Sequence, residues 1–159
     1  MHEMRLRRAA GTRTAWDVLK AFFRPPKDST SLSDIEAVER GEGRTVACLF
    51  RGLYGPYPRR FVQLGALDLT SSGAEWRPSW FGVRRKHWRM TDTVTSAYVR
   101  PRDPETDRLI RGTGAYAPDG ALRWRGFSVV ACETAHGTLE FAVPNPDVPL
   151  VLHYFRRTG

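Results

Sequence analysis

The sequence predicts a mainly β protein: about seven short antiparallel strands in a small barrel, capped by a C-terminal α-helix and preceded by a basic helical arm. Three observations carry this. The hydrophobic pattern changes from period 3.6 to period 2 at Arg44. Turn signals at Ser71-Ser72-Gly73, Pro118-Asp119-Gly120 and His136-Gly137 then cut the chain into strand-length pieces. The helical period returns at the end, where Val148, Val151, Leu152 and Phe155 recur at i, i+3, i+4 and i+7. A strongly bent small sheet leaves an open end, which one amphipathic helix can plug.

Composition bounds what such a domain does. The chain has 159 residues, room for one compact domain and a tail. Its 25 basic residues against 17 acidic ones give a net charge of +8, which attracts phosphates or anionic lipid. Codon bias in a GC-rich genome also favours arginine, so the charge is the observation and the arginine excess is not. Cys48 and Cys132 are far apart and lack a CxxC partner, so neither a disulfide framework nor a four-ligand zinc site is expected. A reducing, cytoplasmic compartment is the expectation, with the inner face of the membrane as a peripheral location. No apolar run reaches the ~18 residues of a spanning helix, so no transmembrane segment or signal peptide is expected.

Element by element, residues 1–27 form a basic amphipathic arm in which seven basic residues oppose only Glu3 and Asp17. Trp16, Leu19, Phe22 and Phe23 gather on one side of a helix from about Thr14 to Phe23, which Pro25-Pro26 ends. Residues 28–43 are an acidic connector with a helix of about two turns ending at Arg40. Ser33 and Glu36 have capping-box spacing there, and Leu32 is placed to staple onto Ala37. Residues 44–159 form the barrel domain. Its first strand alternates Val46, Cys48 and Phe50 with Thr45, Ala47, Leu49 and Arg51, and the loop Gly52 to Pro58 follows. Further strands are expected at Phe61–Leu69, Ala74–Arg77, Lys86–Met90, Thr93–Arg100, Leu109–Tyr116, Leu122–Thr134 and Thr138–Val143. In the last of these Leu139, Phe141 and Val143 point inward, while Thr138 and Glu140 face out. Asn145 caps a final helix that begins at Pro146.

The segments Gly65-Ala66-Leu67-Asp68-Leu69-Thr70 with Ala74-Glu75-Trp76-Arg77-Pro78, and Val129-Val130-Ala131-Cys132-Glu133-Thr134 with Gly137-Thr138-Leu139-Glu140-Phe141-Ala142-Val143, carry a resemblance. In them the chain resembles the pleckstrin-homology-like (PH-like) superfold, including GRAM-type domains. Within it, the likeness is to small actinobacterial proteins with a PH-like domain, over about residues 44–157. In those proteins a membrane-spanning helix usually precedes the barrel; here the basic Trp16 to Phe23 segment occupies that place. The resemblance implies binding of phosphoinositides, peptides or proteins, and seldom catalysis. It also implies that loops at one barrel end, among them the loop with Arg59 and Arg60, hold the anionic ligand.

The densest candidate site is Trp80-Phe81-Gly82-Val83-Arg84-Arg85-Lys86-His87-Trp88-Arg89, where aromatic and basic residues share one hairpin loop. Arg84, Arg85, Lys86 and Arg89, with Arg59 and Arg60 as auxiliaries, are the expected phosphate-binding residues, because guanidinium groups offer paired donors to phosphate oxygens. Trp80 and Trp88, with Trp16, Leu19, Phe22 and Phe23 of the arm, are the expected membrane or partner contacts. Catalytic signatures are missing from the sequence. His2, His87, His136 and His153 have no HExxH relation, Cys132 and His136 supply too few ligands for a metal, and Gly112-Thr113-Gly114-Ala115-Tyr116-Ala117 leads into a proline turn rather than a helix. The expectation is a non-enzymatic binding or adaptor module, without cofactor or metal, on an anionic phospholipid surface or a protein partner. Two alternatives use the same features: a basic nucleic-acid-binding barrel, and a structural subunit docked through its N-terminal helix.

Overall fold

The computed structural model describes residues 28–61, 64–78, 87–101, 103–111 and 127–158. Helix α1 (Asp28–Glu39) leads into β1 (Arg44–Gly52), followed by β2 (Leu64–Thr70), β3 (Gly73–Pro78), β4 (Trp88–Met90) and β5 (Val94–Arg100). Helix α2 (Pro104–Arg111), β6 (Phe127–Thr134), β7 (Gly137–Pro144), a 3-10 turn (Asn145–Asp147) and α3 (Val148–Arg157) complete the order. The strands form one antiparallel sheet in the order β4-β3-β2-β1-β7-β6-β5. Among the described residues no pairing joins β4 to β5, so the barrel is an open, curved sheet rather than a closed cylinder.

Two hairpins turn through two residues, Ser71-Ser72 and Ala135-His136, and in each a glycine opens the returning strand. Thr70 pairs with Gly73 and Thr134 with Gly137, at φ +131° and +148°. L side chains rarely adopt those values. At Gly137 space is short as well, because an added Cβ would lie 2.6 Å from the Tyr54 ring. Gly137→Ala is therefore expected to destabilise the domain by about 1–3 kcal/mol, read as a lower urea midpoint.

The period-2 pattern sends Val46, Cys48 and Phe50 of β1 inward with Leu67, Leu69, Trp76, Val130, Cys132, Leu139, Phe141 and Val143. Phe141 stacks between Phe50 and Phe155, at 5.0 and 5.2 Å between ring centres. Helix α3 plugs the sheet with Leu150, Val151, Tyr154 and Phe155, each contributing about 1.5–3 kcal/mol of burial. The stripe expected from spacing is thus rotated: Val148 and Leu152 are only partly buried. The Tyr154 hydroxyl donates to the Thr70 carbonyl at 2.8 Å and fixes α3 against the β2–β3 turn.

Several expectations are corrected. Of the strand expected at Leu109–Tyr116, Leu109 to Arg111 belong instead to α2, and residues 112–126 lie outside the described residues. Pro104 fits a first helical turn, and Asp103 caps it by accepting from the Thr106 backbone N–H (2.8 Å) and hydroxyl (2.7 Å). Those bonds hold the Asp103 carboxyl below its ordinary range. Helix α1 has 12 residues and begins at Asp28, so the Ser33–Glu36 capping-box spacing falls inside it, and Leu32 is 66% exposed rather than stapled. The stretch expected as a connector packs on the sheet domain: Asp34 and Arg44 form a buried ion pair at 3.0 Å, tying α1 to the start of β1. Asn145 caps no helix through its side chain, which accepts from the Ser128 hydroxyl at 2.7 Å; α3 starts at Val148 after the 3-10 turn. Glu140, expected to face solvent, is 2% exposed.

Candidate functional site

The β1–β2 loop is held by backbone bonds to itself and to β7. The Gly52 N–H donates to Pro58 O at 2.8 Å and the Leu53 N–H to Thr138 O at 2.8 Å. Tyr57 is buried edge-on against Phe50 and Tyr54, and its hydroxyl reaches Arg89 O at 3.4 Å. Beside it the Tyr54 hydroxyl donates to Asp92 at 2.8 Å, and His136 lies within 3.2 Å of the same carboxylate. Burial, with the Asp92 carboxylate adding to it, pushes the Tyr54 phenol up to about 12.

Trp88 joins this loop to the β3–β4 hairpin. Its indole rests on Trp76, with ring centres 5.5 Å apart, and its N–H donates to Pro56 O at 3.1 Å. The β1–β2 loop and the start of β4, distant in sequence, therefore meet at one end of the sheet, with Trp88 half-buried as a brace between them.

The basic residues here have unequal freedom. Arg59 spends its guanidinium on its own loop, donating to Gly52 O (3.5 Å) and Gly55 O (3.4 Å). Arg60 is exposed and, among the described residues, has no hydrogen bond or ion pair. The Arg89 side chain runs the other way along β4, to the Ser72 carbonyl at 3.0 Å, and so leaves the loop end. His87 pairs with Glu75 at 2.5 Å. Arg84, Arg85, Lys86 and Trp80, and Trp16, Leu19, Phe22 and Phe23 of the arm, lie outside the described residues.

A second polar constellation was not anticipated. Glu140 on β7 accepts from Arg51 on β1, its direct cross-strand partner, and from Arg100 on β5, each at 2.5 Å. Arg100 also reaches Asp103, and Arg51 lies 4.9 Å from the centre of the Phe61 ring. Across the sheet Asp68 accepts from Thr45 at 2.6 Å and pairs with Arg77 at 2.7 Å. These pairs tie β1 to β7 and β5, and β2 to β1 and β3. Burial pushes the Cys48 thiol far up and the Cys132 thiol up to about 12, which keeps both in the unreactive thiol form. Among the described residues no group of three or more His, Cys, Asp or Glu side chains is placed to hold a metal ion.

No family model, no curated protein and no solved structure matches the chain. No described helix is long and apolar enough to cross a membrane.

Proposed function

We propose that this protein is a non-catalytic, PH-like binding module that attaches to an anionic membrane surface through the paired β1–β2 and β3–β4 loops. The observation that carries the reading is the Trp88–Pro56 hydrogen bond, which ties the start of β4 to the β1–β2 loop that bears Arg60; Arg84, Arg85 and Lys86 precede β4 in the sequence. The strand order with a terminal helix supports the PH-like class. An exposed loop bearing Arg60, with three further basic residues before β4 in the sequence, suits diffuse attraction to lipid headgroups. The arm of residues 1–27 adds basic charge to the same molecule and raises its encounter rate with such a surface.

Each basic side chain near an anionic leaflet contributes about 1 kcal/mol, so the triple variant R84A/R85A/K86A is expected to bind about a hundredfold more weakly. Flotation with phosphatidylcholine vesicles, with and without phosphatidylserine, at low and physiological salt, measures this. Flotation only with phosphatidylserine, lost in the triple variant and weakened by R60A, supports the reading. Equal flotation of all variants, or none at physiological salt, rejects it. Direct binding of single-stranded RNA in place of vesicles turns the assignment to a nucleic-acid-binding barrel.

A further inference from the structure

The sheet is apolar on both faces. Val46, Cys48 and Phe50 of β1 point into the core under α1 and α3, yet all nine residues of the strand are buried. Ala47 and Leu49 point the other way and are buried too, Leu49 completely. The register carries this outer face across four strands: Ala47 pairs with Ala66 of β2, and Leu49 with Ala142 of β7, which pairs in turn with Val129 of β6. All of them are buried, and none belongs to the inner core cluster. A sheet face left to water ordinarily carries polar residues at such positions, so this one has a cover.

Among the described helices, α1 and α3 lie on the inner face, where Val38, Leu150, Val151, Tyr154 and Phe155 join the core. Helix α2 begins past the end of β5, and its eight residues span about 12 Å, less than the roughly 14 Å from the axis of β2 to that of β6. Residues 79–86 connect the two strands of a hairpin in which Trp76 faces Trp88, so their excursion extends about 13 Å, short of β6 four strands away. Between Arg111 and Phe127 the sequence has no run longer than five residues without glycine or proline, too little for a helix across the sheet.

We propose that the chain's own N-terminal arm, residues 1–27, docks on this outer face, with Trp16, Leu19, Phe22 and Phe23 set against Ala47, Leu49, Ala66 and Ala142. Size selects the arm first. The helix expected from about Thr14 to Phe23 spans about 15 Å, the width of the buried face, and its large side chains complement a surface built mainly of alanine. Charge is compatible as well. Arg13, Lys20 and Arg24 recur at i, i+7 and i+11, off the aromatic side, so docking buries no cation.

The arm also enters at the right place. Helix α1 runs parallel to α3, with Ile35 beside Val148 and Leu152 at one end and Arg157 donating to Val38 O at the other. The first turns of α1 therefore extend past the start of α3, toward the 3-10 turn that follows β7 and that α1 contacts. Phe127 and Pro144 pair at that end of the sheet, and Phe127 is buried on the outer face. Residues 24–27 reach about 13 Å from Asp28, and Pro25-Pro26 turns the chain there. Docked in this way, the aromatic side of the arm closes the domain while its basic side stays outward. The docking proposal does not depend on the membrane reading.

The test uses the full chain with isotope-labelled alanine and leucine methyl groups. Nuclear Overhauser contacts are expected from the methyls of Ala47, Leu49, Ala66 and Ala142 to the ring protons of Trp16, Phe22 or Phe23, and Trp16→Ala removes those assigned to the indole. A second measurement is urea unfolding. Phe22→Ser combined with Phe23→Ser is expected to lower the midpoint by about 1–2 M, because two buried rings are lost, whereas Arg13→Gln combined with Lys20→Gln leaves it unchanged. The contacts are read on the unsubstituted chain, so the test stands even where the Phe variant does not fold. Four outcomes would each overturn the proposal. They are contacts from these methyls to Tyr116, Trp124 or Trp80 in place of the arm, no contact to the arm at all, contacts that in a mixed-label sample run only between two copies, and a midpoint unmoved by the Phe pair while vesicle flotation is lost. The last would make the arm a lipid anchor.

Discussion

Glu140→Ala lowers the unfolding free energy by about 3–5 kcal/mol, the cost of breaking a buried ion pair by removing one partner. The carboxylate is 2% exposed and answers two guanidinium groups, Arg51 and Arg100. Without it Arg51, whose side chain is 10% exposed, keeps its charge in a poorly hydrated place and is left with the Phe61 ring. Arg100 is a third exposed and retains Asp103, so most of the cost falls on Arg51. The pairing variant Glu140→Leu with Arg51→Met removes both buried charges and is expected to recover most of the loss. Urea unfolding of the two variants measures the difference. Equal stability of the single and paired variants would show that the ion pair does not set the cost. Against a typical total of about 5–15 kcal/mol, the single change threatens folding altogether.

Glu140 also shows where a sequence stops being legible. Alternation places it opposite Phe141, and the outward face of a hairpin strand is ordinarily solvated. Its true environment depends on Arg51, 89 positions away, which the β1–β7 register puts directly across from it. Periodicity tells which side a residue is on and is silent about what lies across that side. The same limit hid the Thr45–Asp68–Arg77 group, whose partners meet only once β2 lies between β1 and β3. Features encoded within a few residues were readable: the period change at Arg44, the glycines ending the 70–73 and 134–137 turns, and the amphipathic final helix. Helix α2 was readable too, since Asp103-Pro104-Glu105-Thr106 is a helix start; the hydrophobic residues after it drew the strand assignment instead. Of the candidate site, the basic charge of the hairpin and of Arg59-Arg60 was evident. That Arg59 and Arg89 are bound to backbone carbonyls, and that Trp88 braces rather than anchors, required the fold.

Trp76→Ala is the second change with a large expected cost, about 3–5 kcal/mol, because it empties the largest fully buried side chain of the core. The indole lies against Phe50 and Trp88, each 5.5 Å away between ring centres, and donates to Cys48 O at 3.3 Å. Its place is reserved by Gly65 on the neighbouring strand, where an added Cβ would come within 2.4 Å of the indole and 2.5 Å of the Arg77 carbonyl. Gly65→Ala alone is therefore destabilising for two reasons, and only one of them persists once Trp76 is removed. A double-mutant cycle is expected to give a smaller Gly65→Ala cost in the Trp76→Ala background, with a coupling of about 0.5–3 kcal/mol. At about 2–4 °C per kcal/mol, Trp76→Ala lowers the melting temperature by about 10 °C, which thermal circular dichroism reads directly. The change also reaches the loops, since Trp88 loses the surface it rests on and with it the orientation of its bond to Pro56. Vesicle binding below the Trp76→Ala melting point should thus fall while the folded signal persists. Unchanged binding there would mean that the two basic loops do not depend on the brace.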